Sequence, residues 1–372
     1  MLVIGKIKGL VASVLWKVSP VIMAKRMYTK MKKGESIIVH GNNDFYSNIQ
    51  ENFNFFLSDE QRTDHILEKN LILDIIKCYY KYGTEVNEYF SYDFANKPHD
   101  LRKQYLSRRE KDVYLSHYYG KDCEGRLMVL KDKYTFYSIA KNFYKREAIL
   151  LESENDLPAF IEFIQKHPFS FAKLIKGRGG KGAKLVESLD VYSEGVKEYL
   201  IELLSEGGVW ILEEKVEQDD RMAYWNKSSI NTVRISSFIT SDGPVCFYPF
   251  MRFGKTGSIV DNASSGGYFV AIDGGTGCVV TDAFDKRGHR YERHPEHGDI
   301  IKGHIIPEWK ELLNEAKELH QSLFPEHKYI GFDFALTPKG WVVIEANWGH
   351  FAPLQVAIER GIKEDFIKIM NS

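Results

Sequence analysis

Residues 328–347 read KYIGFDFALTPKGWVVIEAN. Two strands meet at Thr337-Pro338-Lys339-Gly340, where proline and glycine supply a turn. A three-residue loop over 338–340 would pair Thr337 with Trp341 and set Asp333 opposite Glu345. Period-two alternation then gathers Asp333, Ala335, Val343, Glu345 and Asn347 on one face, and Phe332, Phe334, Leu336, Val342, Ile344 and Ala346 on the other. Two carboxylates side by side repel, and burying them unpaired is costly. A hard divalent cation removes the conflict. Mg²⁺ takes carboxylate and amide oxygens and leaves room for phosphate. The competing reading is a salt-bridged surface hairpin.

Other stretches carry chemistry of related kinds. In residues 169–186, FSFAKLIKGRGGKGAKLV, two β-like segments flank a loop with Gly177, Gly179, Gly180 and Gly182. Such a loop either cradles phosphate with successive N–H groups or is an ordinary hairpin, and its spacing is not that of a P-loop. Lys173 shares a face with Phe171 and Ile175, and a lone lysine there requires an anion; Lys176, Arg178 and Lys181 could take its place. Residues 210–220, WILEEKVEQDD, suit an adenine hinge, which needs an extended backbone and one acid, or a strand end with solvated acids. Arg234 lies in the β-branched run of SSINTVRISSFI and Arg252 follows Pro249-Phe250-Met251. A buried arginine calls for a carboxylate or phosphate, and Asn231 and Thr232 could complete such a site. The alternative is an internal Arg–Asp pair, for instance with Asp261. His294, His297 and His304 have no standard zinc spacing, and Pro295, Gly298 and Gly303 point to an irregular loop, in contact with substrate or structural. Trp348, His350 and Gln355 follow the Asp/Glu/Asn strand closely enough to line an acceptor pocket.

The elements that must position these residues change character along the chain. Ser58 and Gln61 form a capping-box pattern opening a helix through Ile66, Leu71, Ile75 and Tyr79 to Gly83. Residues 85–119 read as helical with a break at Pro98, and 126–130 as a short strand. Beyond it strands and helices alternate, as in α+β modules built on antiparallel hairpins. The expected division is a basic segment 1–34, a mostly helical region 35–125, a smaller subdomain 126–216 with the glycine loop, and a larger one 217–372 with the metal residues.

With 372 residues, 44% hydrophobic, 27% charged and net charge −1, the chain is not a disordered tail, has no stretch that spans a bilayer, and is not a dedicated nucleic-acid binder. Its four scattered cysteines read as reduced thiols of a cytoplasmic protein. Residues 1–34 hold Lys6, Lys8, Lys17, Lys25, Arg26, Lys30, Lys32 and Lys33 and no acid. Either this segment is an amphipathic helix on an anionic membrane surface, with Trp16 at the interface, or its apolar stripe packs on the body.

The ordered set of Asp132-Lys133 opening a helix, Lys173 before glycines, an acidic hinge, Arg234, Arg252, Asp333, Glu345 and Asn347 resembles the ATP-grasp superfamily. The NTVRI, RFG, VDNASSGG, HPEHG, GFDFAL and IEAN segments look like its sugar-transfer associated branch, over roughly 85–370. The resemblance implies two α+β subdomains gripping ATP behind a variable, mostly helical N-terminal region. It also implies a ligase that produces ADP: the γ-phosphate passes to a carboxylate, and an amine attacks the acylphosphate to form an amide. By position, Lys133 and Lys173 would bind phosphates, and Gly179, Gly180, Lys181 and Gly182 would close over them. Glu213, Glu214, Lys215 and Val216 would form the adenine hinge, and Asp219 or Asp220 would hold the ribose. Asp333, Glu345 and Asn347 would bind one or two Mg²⁺, and Arg234 or Arg252 would stabilise the transferring phosphoryl. Asn231, Thr232, Asp261, Asn262, His294, His297, Trp348 and His350 would contact substrate. One departure is Leu174 after Lys173, where many relatives have proline. The implied partners are a small-molecule carboxylate and an amine, joining an amino acid to a sugar (a uronate) or lipid-linked saccharide of capsule or other surface-polysaccharide synthesis, with no nucleic acid. The setting would be cytoplasmic, or peripheral at the inner face of the membrane through residues 1–30. The alternative is an ATP-dependent kinase or a nucleotide-binding regulator that makes no amide.

Overall fold

A computed structural model describes residues 20–37, 44–177, 182–187, 195–258, 266–349 and 351–372. Gly179, Gly180, Lys181, Asp261, Asn262, His350 and the stretch 1–19 with Trp16 lie outside the described residues. Contacts divide the chain into two units, the first comprising Met1–Tyr118, Arg287–His289 and His350–Ile367, and the second the remainder.

The first unit is helical. Helix α1 (Pro20–Lys32) buries Ala24, Met27 and Met31, a stripe of helical spacing, and packs on α4 (His65–Tyr82). After α2 (Phe45–Phe56), the Ser58–Gln61 capping box closes only the short α3 (Asp59–Thr63). The expected single helix is therefore two. Asp64 leaves helical geometry and accepts from the N–H groups of Ile66 (2.8 Å) and Leu67 (3.0 Å), so it caps α4 afresh. That helix ends, as its sequence suggests, at Gly83 in the left-handed region with φ +67°. Residues 85–119 form α5 (Val86–Ser91), a short turn around Pro98, and α6 (Arg108–Tyr119). Gln355 is no pocket residue. Fully buried in this unit, it donates to Leu106 C=O (2.9 Å) and the Tyr92 hydroxyl (3.0 Å) and accepts from Leu106 N–H (2.8 Å).

The second unit holds two antiparallel sheets. The expected strand at 126–130 is instead part of helix α7 (Cys123–Lys131), whose Glu, Arg, Leu and Met favour helix; Asp132 then caps α8 (Lys133–Ile139) through Thr135 N–H at 2.8 Å. A four-stranded sheet runs β1 (Ala148–Leu151), β4 (Trp210–Glu214), β2 (Phe169–Leu174), β3 (Lys184–Glu187). Helices α9 (Leu157–Lys166) and α10 (Gly195–Ser205) close its core with Phe160, Phe163, Ile164, Val196, Leu200 and Leu203. A seven-stranded sheet runs β11 (Gly340–Asn347), β10 (Tyr329–Thr337), β5 (Thr232–Thr240), β6 (Gly243–Phe253), β7 (Tyr268–Ala271), β8 (Ala283–Asp285), β9 (Arg290–Tyr291). Helix α11 (Trp309–Leu323) lays Leu312, Ala316 and Leu319 on it.

The β10–β11 turn departs from expectation. Thr337 pairs with Gly340, so the loop has two residues, Pro338 and Lys339. A bulge then compensates: Phe334 faces Val343 and Asp333 faces Glu345, leaving Ile344 as the extra residue. Asp333 meets Glu345 as expected, but Val343 joins Phe334 and Leu336 in the core instead of the polar face, with Trp341 beside them.

Candidate active site

The seven-stranded sheet brings two arginines onto Asp333. β10 pairs with β5 so that Asp333 lies across from Arg234. Arg234 Nε donates to Asp333 Oδ1, and its Nη2 donates to Oδ2 at 2.7 Å. On β6, Arg252 reaches the same Oδ2 with Nη2 at 3.0 Å and donates to Thr232 Oγ1 at 2.9 Å. Asp333 is fully buried. Burial alone would raise its carboxyl; the charges of Arg234 and Arg252 hold it far below the usual range. Glu345, half-buried on β11, is pushed above the usual range by burial and then by the Asp333 charge. Asn347 Oδ1 accepts from Gly349 N–H at 2.7 Å. The internal Arg–Asp pair is therefore realised, with Asp333 as the acid.

A second cluster lies against the four-stranded sheet. Lys173 Nζ donates to Glu213 Oε2 at 3.0 Å, so Lys173 is not a lone cation. Lys133 Nζ donates to Leu174 C=O (3.0 Å) and Gly177 C=O (2.6 Å) at the mouth of the glycine segment, and desolvation lowers its pKa. Glu213 turns its side chain inward and is 2% exposed. Its main chain runs inside the ladder, between Ala148 of β1 and Phe171 of β2. Glu214 and Lys215 give their N–H groups to Glu147 C=O (3.0 Å) and Phe169 C=O (3.1 Å). Sequence reasoning missed Arg146 and Tyr144, which complete this cluster. Arg146 Nη2 donates to Glu213 Oε2 at 3.0 Å and the Tyr144 hydroxyl donates to Oε1 at 3.0 Å. An arginine two residues before a strand was the available signal; its acid partner is 67 residues away.

The remaining candidates divide. Asp219 binds Arg221 (2.8 and 2.9 Å), whereas Asp220 is exposed. Asn231 is inaccessible, its Nδ2 donating to Gln218 Oε1 and to the carbonyls of Met222 and Asn226, so it anchors the 217–231 loop instead of facing a substrate. His294 is buried with Nε2 on Trp225 C=O (2.9 Å), and it stacks on His297, whose Nε2 meets Tyr224 C=O (3.1 Å). His304 bonds Ile300 C=O (2.9 Å). These rings hold a loop together. Trp348 packs under Lys131 at 4.7 Å. Among the described residues no three His, Cys, Asp or Glu side chains form a metal cage, and no helix is long and apolar enough to cross a membrane.

The family described as sugar-transfer associated ATP-grasp matches residues 114–371. The chain belongs to that family. The ATP-grasp match opens inside α6 and takes in both sheets, giving the α+β ATP-grasp fold. No curated protein matches the sequence. Among solved structures, this ATP-grasp chain is similar to D-alanyl-alanine synthetase A from Vibrio cholerae, at 11% identity over 65% of this chain and 64% of that one, TM-score 0.39. It is also similar to D-alanine–D-alanine ligase from Helicobacter pylori (14%, 65% and 60%, TM-score 0.40) and to L-amino acid ligase from Bacillus licheniformis (10%, 62% and 43%, TM-score 0.39). The chain spans less than two thirds of the length of each.

Proposed function

We propose that this ATP-grasp protein is an ATP-dependent carboxylate–amine ligase acting through an acylphosphate. The supporting observation is the register pair Asp333–Glu345, with Asn347 at the same strand end and two arginines behind it. The donor set fits Mg²⁺. Two acids and an amide oxygen are hard ligands, and the raised Glu345 carboxyl marks a pair of acids that an added cation would relieve. Asp333, Glu345 and Asn347 would hold the ion. Bound there, it would neutralise polyphosphate charge and orient the γ-phosphoryl group.

The chain's own residues supply the rest. Lys133 and Lys173 place positive charge against the phosphates at the glycine segment, of which Gly182 is described, with φ +77°. The backbone at Val216, beyond the ladder, reads the adenine edge, and exposed Asp220 takes the ribose. Arg252 is the more exposed of the two arginines, with 15% of its side chain accessible against 7% for Arg234, and is assigned to the phosphoryl group. Arg234 fixes Asp333. A substrate carboxylate attacks the γ-phosphorus and ADP leaves; an amine then attacks the acyl carbon and phosphate leaves. The family's association with sugar transfer supports an amino acid joined to a uronate or lipid-linked saccharide of surface-polysaccharide synthesis.

Incubation with ATP, Mg²⁺ and panels of acids and amines tests this reading. ADP and phosphate released only with both partners present is the expected result, lost in Glu345→Gln; a stable phosphorylated product from one substrate would make the protein a kinase. Peripheral membrane contact is supported by exposed Lys25, Arg26, Lys33 and Ile22 on and beside α1. Reversing those three charges should abolish binding to anionic vesicles, and undiminished binding would remove that part.

A further inference from the structure

Glu213 is a single buried carboxylate serving two cations. Its Oε2 accepts from both Lys173 Nζ and Arg146 Nη2 at 3.0 Å, and its Oε1 accepts from the Tyr144 hydroxyl at 3.0 Å. Burial would raise this carboxyl, yet Lys173 and Arg146 together hold it at about 2, so the acid stays charged.

The two cations are not equivalent. Arg146 has a side chain 4% exposed, stacks its guanidinium 3.5 Å from the Tyr144 ring, and gives Nη1 to Val343 C=O (2.8 Å) and Tyr144 C=O (3.2 Å). Every contact turns it inward. Lys173 keeps a quarter of its side chain exposed, and it raises the local potential felt by Lys133. Val343 lies on β11 two residues before Glu345, so the guanidinium fork spans from the acid that holds Lys173 to the strand that carries Glu345.

Lys173 and Arg146 share the one carboxylate of Glu213, and Arg146 alone suffices to neutralise it; Lys133 rests on two carbonyls and also feels the charge of Glu345. Without Arg146, Glu213 would claim Lys173 for itself, since a buried carboxylate left with one cation holds that cation tightly.

We propose that Arg146 is a positioning residue of the nucleotide site: it neutralises Glu213 from the closed side, so that Lys173 retains its charge for a bound polyphosphate. The proposal rests on the nucleotide-binding reading given above and adds a residue outside the expected set. Arg146 touches no substrate in this scheme; it acts through Glu213.

The test is calorimetric binding of the β,γ-imido analogue of ATP with Mg²⁺ to the full chain, with near-ultraviolet circular dichroism as a check on folding. Wild-type protein binds. Arg146→Met weakens binding by about tenfold or more, the scale of one charge-assisted contact. The Arg146→Met/Glu213→Gln double variant, which removes the surplus acid with its neutraliser, recovers most of that loss. Arg146→Lys keeps the charge but not the fork and falls between the two. A merely structural prop would not be rescued by removing Glu213. Wild-type affinity in folded Arg146→Met, or a double variant as weak as the single, would overturn the proposal and leave the nucleotide reading intact. If Arg146→Met fails to fold, the folded double variant binding ten times more weakly than wild type overturns it, and near-wild-type binding supports it. Absence of binding by the wild type would overturn the nucleotide reading itself and the proposal with it.

Discussion

Replacing Arg234 by methionine should cost about 3 kcal/mol of stability, a figure built from its contacts with Asp333. Asp333 has no exposed surface, so its charge must be satisfied by protein. Arg234 supplies one donor to each carboxylate oxygen, and Arg252 adds a third at 3.0 Å. Breaking a buried ion pair by removing one partner costs roughly 3–5 kcal/mol, and the surviving Arg252 contact places this case at the lower end. Methionine fills the volume of the arginine stem, which keeps a cavity term small. The assay is urea unfolding followed by tryptophan fluorescence, for which Trp341, 1% exposed on the neighbouring strand, is a reporter. Arg234→Met/Asp333→Leu completes the comparison. With both charges gone, the double variant should be less destabilised than the sum of the singles by about 1.5 kcal/mol or more. Additive losses, or a loss in Arg234→Met below about 1 kcal/mol, would show that the pair is not what fixes Asp333. The same protein separates two roles for Arg234. If nucleotide binding fell tenfold at unchanged stability, the guanidinium would serve phosphate and not Asp333.

Other perturbations probe the frame. His320 is fully buried, accepts from Ser237 Oγ at 2.8 Å and donates Nε2–H to His327 C=O at 2.7 Å, and burial lowers its pKa to about 4. Because the folded chain refuses a proton that the unfolded one takes near pH 6.5, stability should fall by up to about 3 kcal/mol as the pH drops from 6.5 to 4. Urea midpoints across that range check it, and His320→Gln should flatten the slope; an unchanged slope refutes the assignment. Glu213, held at about 2, contributes in a separate window, with stability present above pH 4.5 and lost below it. Gly277 has φ +75°, and an added Cβ would sit 2.5 Å from Trp309 Cγ, so Gly277→Ala should lose about 3 kcal/mol by the same unfolding assay.

Much of the framework is local and therefore readable from sequence. Gly83 ends a helix because it can adopt a left-handed backbone, and Asp132 starts one because its carboxylate caps Thr135. The reading fails where a local rule has a competitor nearby. The Ser58–Gln61 box is real, but Asp64, six residues after Ser58, is a cap of its own, so one expected helix becomes two. The apolar run at 126–130 satisfies a strand pattern and a helix pattern alike, and its helix formers decide the outcome. At the β10–β11 hairpin two errors cancel. The turn is one residue shorter than expected and the bulge at Ile344 restores the count, so Asp333 still meets Glu345 while Val343 changes face.

What sequence pattern could not reach is the partner of each charge. Arg234 and Asp333 are 99 residues apart, and Lys173 and Glu213 are 40 apart. Period-two alternation gives the face a residue occupies, never the strand that will lie beside it. That limit explains why both arginines could be read either as phosphate ligands or as halves of ion pairs, and why Lys173 looked unpartnered.

The same limit hides a division of labour between two acids that look alike in sequence. Asp333 sits on an inner strand of the sheet, paired on both sides, with arginines on the next two strands, β5 and β6; it is a fixed negative charge that the fold itself holds. Glu345 faces it from the last strand of the sheet, where among the described residues no further strand pairs on the other side, and follows a bulge that re-aims the chain. On the proposed reading a cation there would meet Asp333, held by two arginines, and Glu345, which has no arginine of its own, with Asn347 two residues on at the strand end. On the same reading, an edge strand beside an arginine-held acid would let one side of the site stay fixed while the other took up a metal–nucleotide complex.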